Sequence, residues 1–370
     1  MLNGKFVVDA TVHPFDYSEE NWGDGYKQVI GGYHHHRLYN KVVESSRPDY
    51  LLRQNEFVSD FDPYAMTHAL FAESVVDFAI IHALPNLGFT KGVVTDLDKM
   101  VKLRERFSDR FKLYGWVTTL DLDEAIKHLE WQVREAHIDG LKCFPSLVYK
   151  GKHTGWRMDG PEFAVPLFEA ARDLGIKNIA IHKALPMFGP SPMSFFKVDD
   201  LDAVLPKFPD INFFMIHAGM NFLEETCVML HRFPNFHANL ESTFANAVER
   251  PRIFAETLGQ MLYHGTPEQI VFASGCNLLH PQPALEAFES FQMPRDLVEG
   301  FGFPEVTDEI KAKILGLNIA RTHGIDPQAV LAAVKDDEFE RAKADGLAAP
   351  WSALRRDEAD NRVAASAGAL

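Results

Sequence analysis

The chain has 370 residues, a formal net charge of −15 and a pI of about 5.5. This acidic balance excludes a broad nucleic-acid surface and argues against an anionic membrane as a partner. Hydrophobic residues make up 46% of the sequence, enough for a large core, but no apolar run reaches membrane-spanning length. The three cysteines lack disulfide or zinc-finger spacing, and the first residues do not resemble a signal peptide. We therefore expect a cytoplasmic protein.

Short apolar runs recur along the chain and alternate with amphipathic stretches. They are rich in Ile, Val and Phe, as expected for parallel strands that are buried on both faces. Eight runs are predicted to be strands, at 5–10, 77–84, 111–118, 138–145, 177–182, 211–217, 235–241 and 269–275. Amphipathic helices are predicted between them, for example at 123–136, 161–174 and 199–207.

This order of elements predicts an α/β protein, a (β/α)8 TIM barrel that spans residues 1–326. A doubly wound sheet is the alternative, but its first strand usually leads into a glycine-rich turn, and none follows residues 5–10. A barrel would bring the carboxyl ends of all eight strands to one face, where such barrels carry their active sites.

Two segments do not follow the alternation of strands and helices. Residues 14–60 form a long insertion after the first strand, rich in aromatic residues, glycine and charge, and it contains His34, His35 and His36. Because it follows a strand at the catalytic face, we expect a lid or a subunit-contact loop. Residues 327–370 are expected to form a charged C-terminal helix and a disordered, Ala-rich tail.

Two histidines end two neighbouring predicted strands. His182 closes the run IAIH, and His217 closes the run FFMIH. In a barrel both imidazoles would reach the same mouth. One strand-end histidine is more often packed or hydrogen-bonded than catalytic, but two on adjacent strands indicate an active site.

The strand-end residues resemble the amidohydrolase superfamily, and within it the branch of aminocarboxymuconate-semialdehyde decarboxylase. VVDATVHPFD is similar to the family's first strand, with its Asp-x-His-x-His pattern, and GLKCFP, with Lys142, to its fourth. IAIHK and FFMIHAGM match the fifth and sixth strands, and the run around Asn318 resembles the helix after the barrel. The resemblance covers roughly residues 5–326 and implies a metal-dependent hydrolase or decarboxylase-type lyase.

The sequence departs from the family pattern at two positions. Thr11 stands where the first strand has its first histidine, so that only His13 remains. The eighth strand of the family carries Gly-Ser-Asp, whereas FASGCN has Gly275 at the aspartate position, or Asn277 if the strand is shifted by two. Neither residue is a carboxylate, so the usual set of metal ligands is incomplete.

The remaining residues offer a replacement set. We expect one divalent metal ion, zinc first with manganese or iron as alternatives, bound by His13, His182 and Glu241. His217 is then the expected acid–base residue. Lys142 is the second candidate catalytic residue, with its ammonium group binding a substrate carboxylate. A salt bridge at the barrel rim is the alternative explanation for both Glu241 and Lys142.

Further residues are expected to reach the mouth. Thr11, Asn277 and His280 are predicted to bind substrate, and His82 ends the second strand. The resemblance implies a small aromatic or ring-cleavage carboxylic acid as substrate, and a homo-oligomer. Two alternatives stay open: a metal-free lyase or hydratase that uses its histidines and Lys142, and a non-catalytic binding relative. No nucleic-acid or membrane partner is expected.

Overall fold

Eight parallel strands close into a barrel in the computed structural model, which describes residues 1–23, 47–85, 90–117, 119–149, 152–186 and 192–355. The barrel strands, which follow one another around the sheet in chain order, are β1 Val8–Val12, β2 Phe78–His82, β3 Phe111–Trp116, β4 Gly140–Cys143, β7 Asn178–His182, β8 Asn212–Ile216, β9 Phe236–Asn239 and β10 Ile270–Val271. A separate antiparallel hairpin pairs β5 Ser146–Tyr149 with β6 Lys152–Gly155. The predicted (β/α)8 barrel is confirmed.

The barrel closes between its first and last strands. The Ala10 N–H donates to the Phe272 carbonyl at 3.1 Å. β10 is shorter than the predicted strand at 269–275, because the next N–H group, that of Phe272, donates to the Ile314 carbonyl at 2.9 Å instead of to β9. The Ser274 N–H donates to the Asp9 carboxylate at 2.9 Å, which ties the end of the barrel to β1.

The sequences of the barrel strands are apolar because these strands are buried on both faces. Every residue of β1, β2, β4, β7 and β9 is buried. A parallel sheet that is covered by helices has no solvent-facing side, so polar residues are costly along its length. Inside the barrel, an apolar column includes Val8, Ile80, Tyr114, Ala180 and Phe214. Several buried polar side chains, among them His82, Lys142 and His182, lie at or near the carboxyl ends of the strands.

Helices and short turns form the outer layer. The helices are α1 Gln54–Phe57, α2 Pro63–Phe71, α3 Leu97–Arg106, α4 Leu122–Arg134, α5 Ala164–Asp173, α6 Leu223–Arg232, α7 Asn246–Glu249, α8 Pro251–His264, α9 Pro281–Ser290, α10 Arg295–Phe301, α11 Asp308–Ala312, α12 Asn318–His323, α13 Pro327–Val334 and α14 Glu338–Ala342. In α4, Asp121 caps the first turn by accepting from the Glu124 N–H at 3.2 Å. Across the described ranges, no helix is long and apolar enough to cross a membrane.

The helix predicted at 199–207 is wrong. Two 3-10 turns, Asp199–Leu201 and Leu205–Lys207, occupy this stretch. Pro206 has no N–H for a helical hydrogen bond, and its ring clashes with the preceding turn. The helical pattern in the sequence is therefore interrupted by a residue that a continuous helix cannot hold.

The described parts of the predicted insertion pack against the barrel. Phe15, Tyr17 and Phe57 are buried, and the rings of the first two stack with centroids 4.9 Å apart. Residues 24–46, which include His34, His35 and His36, lie outside the described residues. The role of the insertion as a lid or subunit contact stays a prediction.

The C-terminal segment returns to the barrel after two short helices, α13 and α14, rather than the single helix that was predicted. Arg355 forms a bidentate ion pair with Glu56, with both nitrogen–oxygen distances at 2.8 Å. Residues 356–370, where a disordered tail is predicted, lie outside the described residues. The division of the chain at residue 326 also stays a prediction.

A buried carboxylate holds this segment in place. Glu73 accepts hydrogen bonds from the backbone N–H groups of Trp351, at 2.6 Å, and Ser352, at 2.8 Å. It also pairs with the rings of His68, at 2.9 Å, and His280, at 3.2 Å. Burial alone would raise the pKa of Glu73, but the hydrogen bonds from the histidines and Ser352 outweigh it and lower the pKa to about 2.

Glu73→Gln should destabilise the protein and change how its stability depends on pH. The folded-state pKa lies below the ordinary value of 4.5, so the carboxylate stabilises the fold above pH 4.5 and loses this effect as pH falls toward 2. We expect the variant to lose roughly 3 kcal/mol at neutral pH, and its free energy of unfolding to fall less steeply below pH 4.5.

Urea unfolding followed by circular dichroism between pH 3 and pH 7 measures both effects. Glu299→Gln is the control, since Glu299 forms an exposed ion pair with Arg295 and should contribute little to stability. Parallel stability-against-pH curves for the wild type and Glu73→Gln would contradict the assignment.

Candidate active site

Five polar side chains meet at the carboxyl-terminal mouth of the barrel. His13 follows β1, Lys142 lies in β4, His182 ends β7, His217 follows β8 and Glu241 follows β9. Each of them is at most 5% exposed. The catalytic and metal-binding residues predicted from the sequence are therefore brought to one face of the barrel, as expected for strand ends.

His13 and Glu241 face each other across the mouth. The distance between His13 Nε2 and Glu241 Oε1 is 3.6 Å. Among the described residues, both ring nitrogens of His13 and Oε2 of Glu241 are buried without a hydrogen-bond partner. Buried polar atoms are nearly always satisfied in folded proteins, so this pair is suited to hold a ligand.

The protonation states of this pair suit a cation. Burial would raise the pKa of Glu241, but His217, His13 and Lys142 outweigh it and lower the pKa to about 2, so the carboxylate is ionised. Burial lowers the pKa of His13, which keeps its imidazole neutral at pH 7. A neutral imidazole and an ionised carboxylate are the forms in which these side chains bind metals.

His182 and His217 lie edge to face, with ring centroids 4.5 Å apart. His182 Nε2 lies 2.8 Å from the Leu185 carbonyl, so this nitrogen carries the hydrogen and Nδ1 keeps the lone pair. His217 Nδ1 lies 3.3 Å from the Glu241 carbonyl, and its Nε2 lies 4.0 Å from Glu241 Oε2. Burial lowers the pKa of His217 to about 4, so its ring is neutral at pH 7.

Lys142 supplies positive charge to the mouth. Burial lowers the pKa of its ammonium group to about 8, while the charge of Glu241 opposes the shift. The same ammonium group lowers the pKa values of His13, His182 and His217, although burial is the larger cause for each. At pH 7 Lys142 is therefore a buried cation beside neutral imidazoles, which suits an anionic ligand.

The predicted substrate-binding residues are arranged differently. Thr11 Oγ1 accepts from Asn239 Nδ2 at 2.9 Å, and Asn277 Oδ1 accepts from the Phe15 N–H at 3.2 Å. Both side chains pair with the protein near the ends of the barrel strands. A substrate contact for either one stays a prediction.

His280 is not brought to the mouth cluster. Its ring packs between Tyr50, with centroids 4.8 Å apart, and Trp351, with centroids 5.1 Å apart. Its Nε2 faces Glu73, and its Nδ1 accepts from the Gln282 N–H at the start of α9. These contacts assign His280 to the C-terminal segment rather than to substrate, because both of its ring nitrogens are already paired.

A buried ion pair anchors the loop that follows His182. Lys183 Nζ donates to Asp200 Oδ2 at 2.7 Å and to the Phe195 carbonyl at 2.8 Å. The same Asp200 oxygen accepts from the Met158 N–H at 3.0 Å. Sequence reasoning missed this pair, although the lysine directly after a strand-end histidine was a visible signal.

The donor atoms at the mouth fit a divalent metal in their chemistry. The unpartnered nitrogens of His13 and the free oxygen of Glu241 are imidazole and carboxylate ligands of the kind that zinc, manganese and iron accept. Within the described ranges, no three His, Cys, Asp or Glu side chains converge as a ready-made metal site. His13 and Glu241 are thus the part of such a site that is already in place.

A family model for amidohydrolases matches residues 9–325. The chain belongs to the amidohydrolase family. This confirms the resemblance that the strand-end motifs predicted, and it places the protein among the enzymes of that superfamily. No curated protein sequence matches the amidohydrolase significantly.

Solved structures share the fold of the amidohydrolase at low sequence identity. An uncharacterized TIM-barrel protein from Bordetella bronchiseptica has a TM-score of 0.59 and 15% identity, over 86% of this chain and 99% of that chain. The 5-carboxyvanillate decarboxylase from Sphingomonas paucimobilis has a TM-score of 0.54 and 14% identity, over 87% and 99%. A dihydroxybenzoic acid decarboxylase from Polaromonas sp. JS666, with bound manganese and the inhibitor 2-nitroresorcinol, has a TM-score of 0.54 and 13% identity, over 87% and 97%.

Lys183→Met should destabilise the amidohydrolase by about 3–5 kcal/mol, because it leaves the Asp200 carboxylate buried without its cation. Adding Asp200→Asn should recover much of the loss, since the double variant has no unpaired charge. Thermal unfolding followed by calorimetry tests both changes, with Lys197→Met, at an exposed position of the same loop, as control. Equal midpoints for Lys183→Met and the control would contradict the anchoring role.

Proposed function

We propose that this amidohydrolase is a metal-dependent carboxy-lyase that releases CO2 from a small aromatic or ring-cleavage carboxylic acid. One observation carries the proposal: the buried His13 imidazole and Glu241 carboxylate face each other at 3.6 Å, and each has unpartnered atoms. Relatives of the same fold that are decarboxylases of aromatic acids, one of them with bound manganese, support this choice of reaction.

The proposed ligands are His13, His182 and Glu241, with zinc, manganese or iron as the metal. When bound, such an ion polarises a substrate oxygen and stabilises negative charge on it. His182 keeps the Nδ1 lone pair for this role because its Nε2 is held by the Leu185 carbonyl at 2.8 Å. The loop anchored by Lys183 holds that carbonyl near the ring.

The other residues bind the acid and move the proton. Lys142 would bind the substrate carboxylate through its charge, since burial strengthens an ion pair at this position. Decarboxylation breaks the bond between the ring carbon and the carboxylate, and the electron pair stays on the carbon, which takes up a proton. His217 is the proposed carrier of that proton: its Nε2, which lies 4.0 Å from Glu241 Oε2, would take a proton from solvent and pass it to the carbon, while Nδ1 stays near the Glu241 carbonyl.

Metal content is the first test. Plasma mass spectrometry should find about one zinc, manganese or iron per chain in the wild type, and much less in His182→Ala and Glu241→Ala. The control His231→Ala changes an exposed histidine on α6 and should keep the metal. If the wild type holds no metal after reconstitution with each of the three ions, metal dependence is contradicted.

Turnover is the second test. A panel of hydroxybenzoates that includes 2,6-dihydroxybenzoate and 5-carboxyvanillate should yield CO2 with the metal-loaded enzyme. Glu241→Ala should not release it. If the metal-loaded enzyme hydrates or hydrolyses members of the panel without releasing CO2, the proposed carboxy-lyase activity is wrong and a hydrolase or hydratase activity takes its place.

A metal-free lyase or hydratase is the second candidate, and Lys142 favours it. A buried ammonium group near His13 and Glu241 repels a cation, and among the described residues no three ligands converge. Under this hypothesis, Lys142 and the histidines carry out the acid–base steps without a metal.

Lys142→Met separates the two candidates. If Lys142 binds the carboxylate of a metal enzyme, the variant should keep its metal and lose roughly 10- to 100-fold in kcat/KM, mainly through KM, as expected for a lost charged contact. If the wild type contains no metal, and Lys142→Met lowers kcat while KM stays unchanged, the second candidate is supported. Lys112→Met is the control, because Lys112 pairs with Asp139 away from the mouth cluster.

We also propose a cytoplasmic homo-oligomer whose partner is a small carboxylate-bearing molecule. Cys143, Cys227 and Cys276 are free and buried, which suits a reducing compartment. The oligomeric state follows from the family resemblance, and light scattering would measure it.

A further inference from the structure

Two buried donors at the mouth have no partner and no role in the scheme above. They are the indole Nε1–H of Trp116 and the single N–H of the neutral His82 ring. Trp116 Nε1 and both ring nitrogens of His82 have no hydrogen-bond partner within the described part of the chain. Trp116 is 8% exposed and His82 is 1% exposed. A buried donor without a partner costs about 1–3 kcal/mol, so each is a candidate ligand contact.

These residues lie on consecutive strands next to Lys142. His82 ends β2 and Trp116 ends β3. Trp116 pairs in register with Lys142 of β4, and His82 pairs in register with Tyr114 of β3. Side chains two residues apart share one face of a strand, so Trp116 faces the barrel interior as Tyr114 does. The ring of His82 lies 6.4 Å from that of His13, between centroids.

The chemistry of the three groups selects an anion. The indole nitrogen of Trp116 and the ammonium group of Lys142 only donate hydrogen bonds, and a neutral imidazole such as His82 donates one. A ligand that satisfies all three must offer several acceptor atoms close together. A carboxylate does so with two oxygens, and its negative charge attracts the ammonium group of Lys142.

We propose that Trp116 and His82, together with Lys142, form the subsite that binds the carboxylate of the ligand. This proposal rests on the proposed function and deepens it, because it assigns the β2–β4 side of the mouth to the anionic group. The reacting carbon then lies toward the β7–β9 side, where His217 and Glu241 stand.

The subsite is rigid in the way that selective binding requires. Gln132 of α4 accepts from the Trp116 N–H at 2.9 Å and donates to the Trp116 carbonyl at 3.0 Å. The ring of His82 stacks on Tyr114, with centroids 4.6 Å apart and planes 11° apart. The Tyr114 hydroxyl is in turn paired with His323 Nε2 at 2.6 Å. Tyr114 and His323 are therefore positioning residues.

The test is the binding of benzoate, measured by titration calorimetry, with uncharged benzyl alcohol as the second probe. Trp116→Phe and His82→Phe each keep an aromatic ring and remove donors. We expect each to weaken benzoate binding about tenfold or more, and to leave benzyl alcohol binding unchanged. Two controls should keep wild-type affinity: Trp131→Phe, on the exposed face of α4, and His237→Phe, whose ring stacks on Phe214 elsewhere in the barrel.

Two results would contradict the subsite. Unchanged benzoate affinity in both variants would show that the donors do not bind the anion, and an equal loss for benzoate and benzyl alcohol would show a packing effect. If Trp116→Phe does not fold, His82→Gln, which restores one donor, should recover part of the affinity lost in His82→Phe. If the wild type holds metal and releases CO2 but binds benzoate independently of Trp116 and His82, only the subsite is contradicted. If the wild type is metal-free and inactive but binds benzoate through these two residues, only the proposed function is contradicted.

Discussion

A buried negative charge is the constraint on which the mouth of this barrel depends. The carboxylate of Glu241 is 2% exposed, and a charge in such a place must be compensated by neighbouring charges or hydrogen bonds. His217, His13 and Lys142 together lower the pKa of the carboxylate to about 2, and of these three only Lys142 is charged at pH 7. The same carboxylate raises the pKa values of its neighbours against the effect of burial, so the charge states in the mouth are set jointly.

Side-chain hydrogen bonds to the backbone hold the strand ends that carry these groups. Asn239 donates to Thr11 Oγ1 and accepts from the Glu241 N–H at 3.0 Å, so one amide fixes the ends of β1 and β9 together. Gln132 does the same for the end of β3, through both backbone groups of Trp116. Thr11 stands where the family pattern has a histidine, and here it serves the frame that orients Glu241.

The mouth has two chemically different sides. Strands β2–β4 carry donors and a cation, whereas β7–β9 carry an anion and two imidazoles with lone pairs. An acidic protein with a net charge of −15 would repel an anionic substrate at long range, but the Debye length in physiological salt is about 8 Å, so local charge decides. The buried ammonium group of Lys142 would therefore attract an anionic group where the overall charge does not, and the proposed carboxylate subsite depends on this difference.

The sequence by itself determined the barrel and most of the mouth cluster. Strands buried on both faces must be apolar, so eight apolar runs that alternate with helices predicted the barrel. Parallel topology brings strand ends together, so His182 and His217 at the ends of two runs predicted the active site, and the family resemblance added His13 and Lys142. It could not determine the pairing of His280 with Glu73, which lie 207 residues apart, or the bond between Asn239 and Thr11, which lie 228 apart. Nor did it reveal the short β10, beyond which the backbone donates to the Ile314 carbonyl and then to the Asp9 carboxylate. These features were decided by the tertiary structure, because which polar atoms find partners depends on packing between distant segments and leaves no periodic signal in the chain.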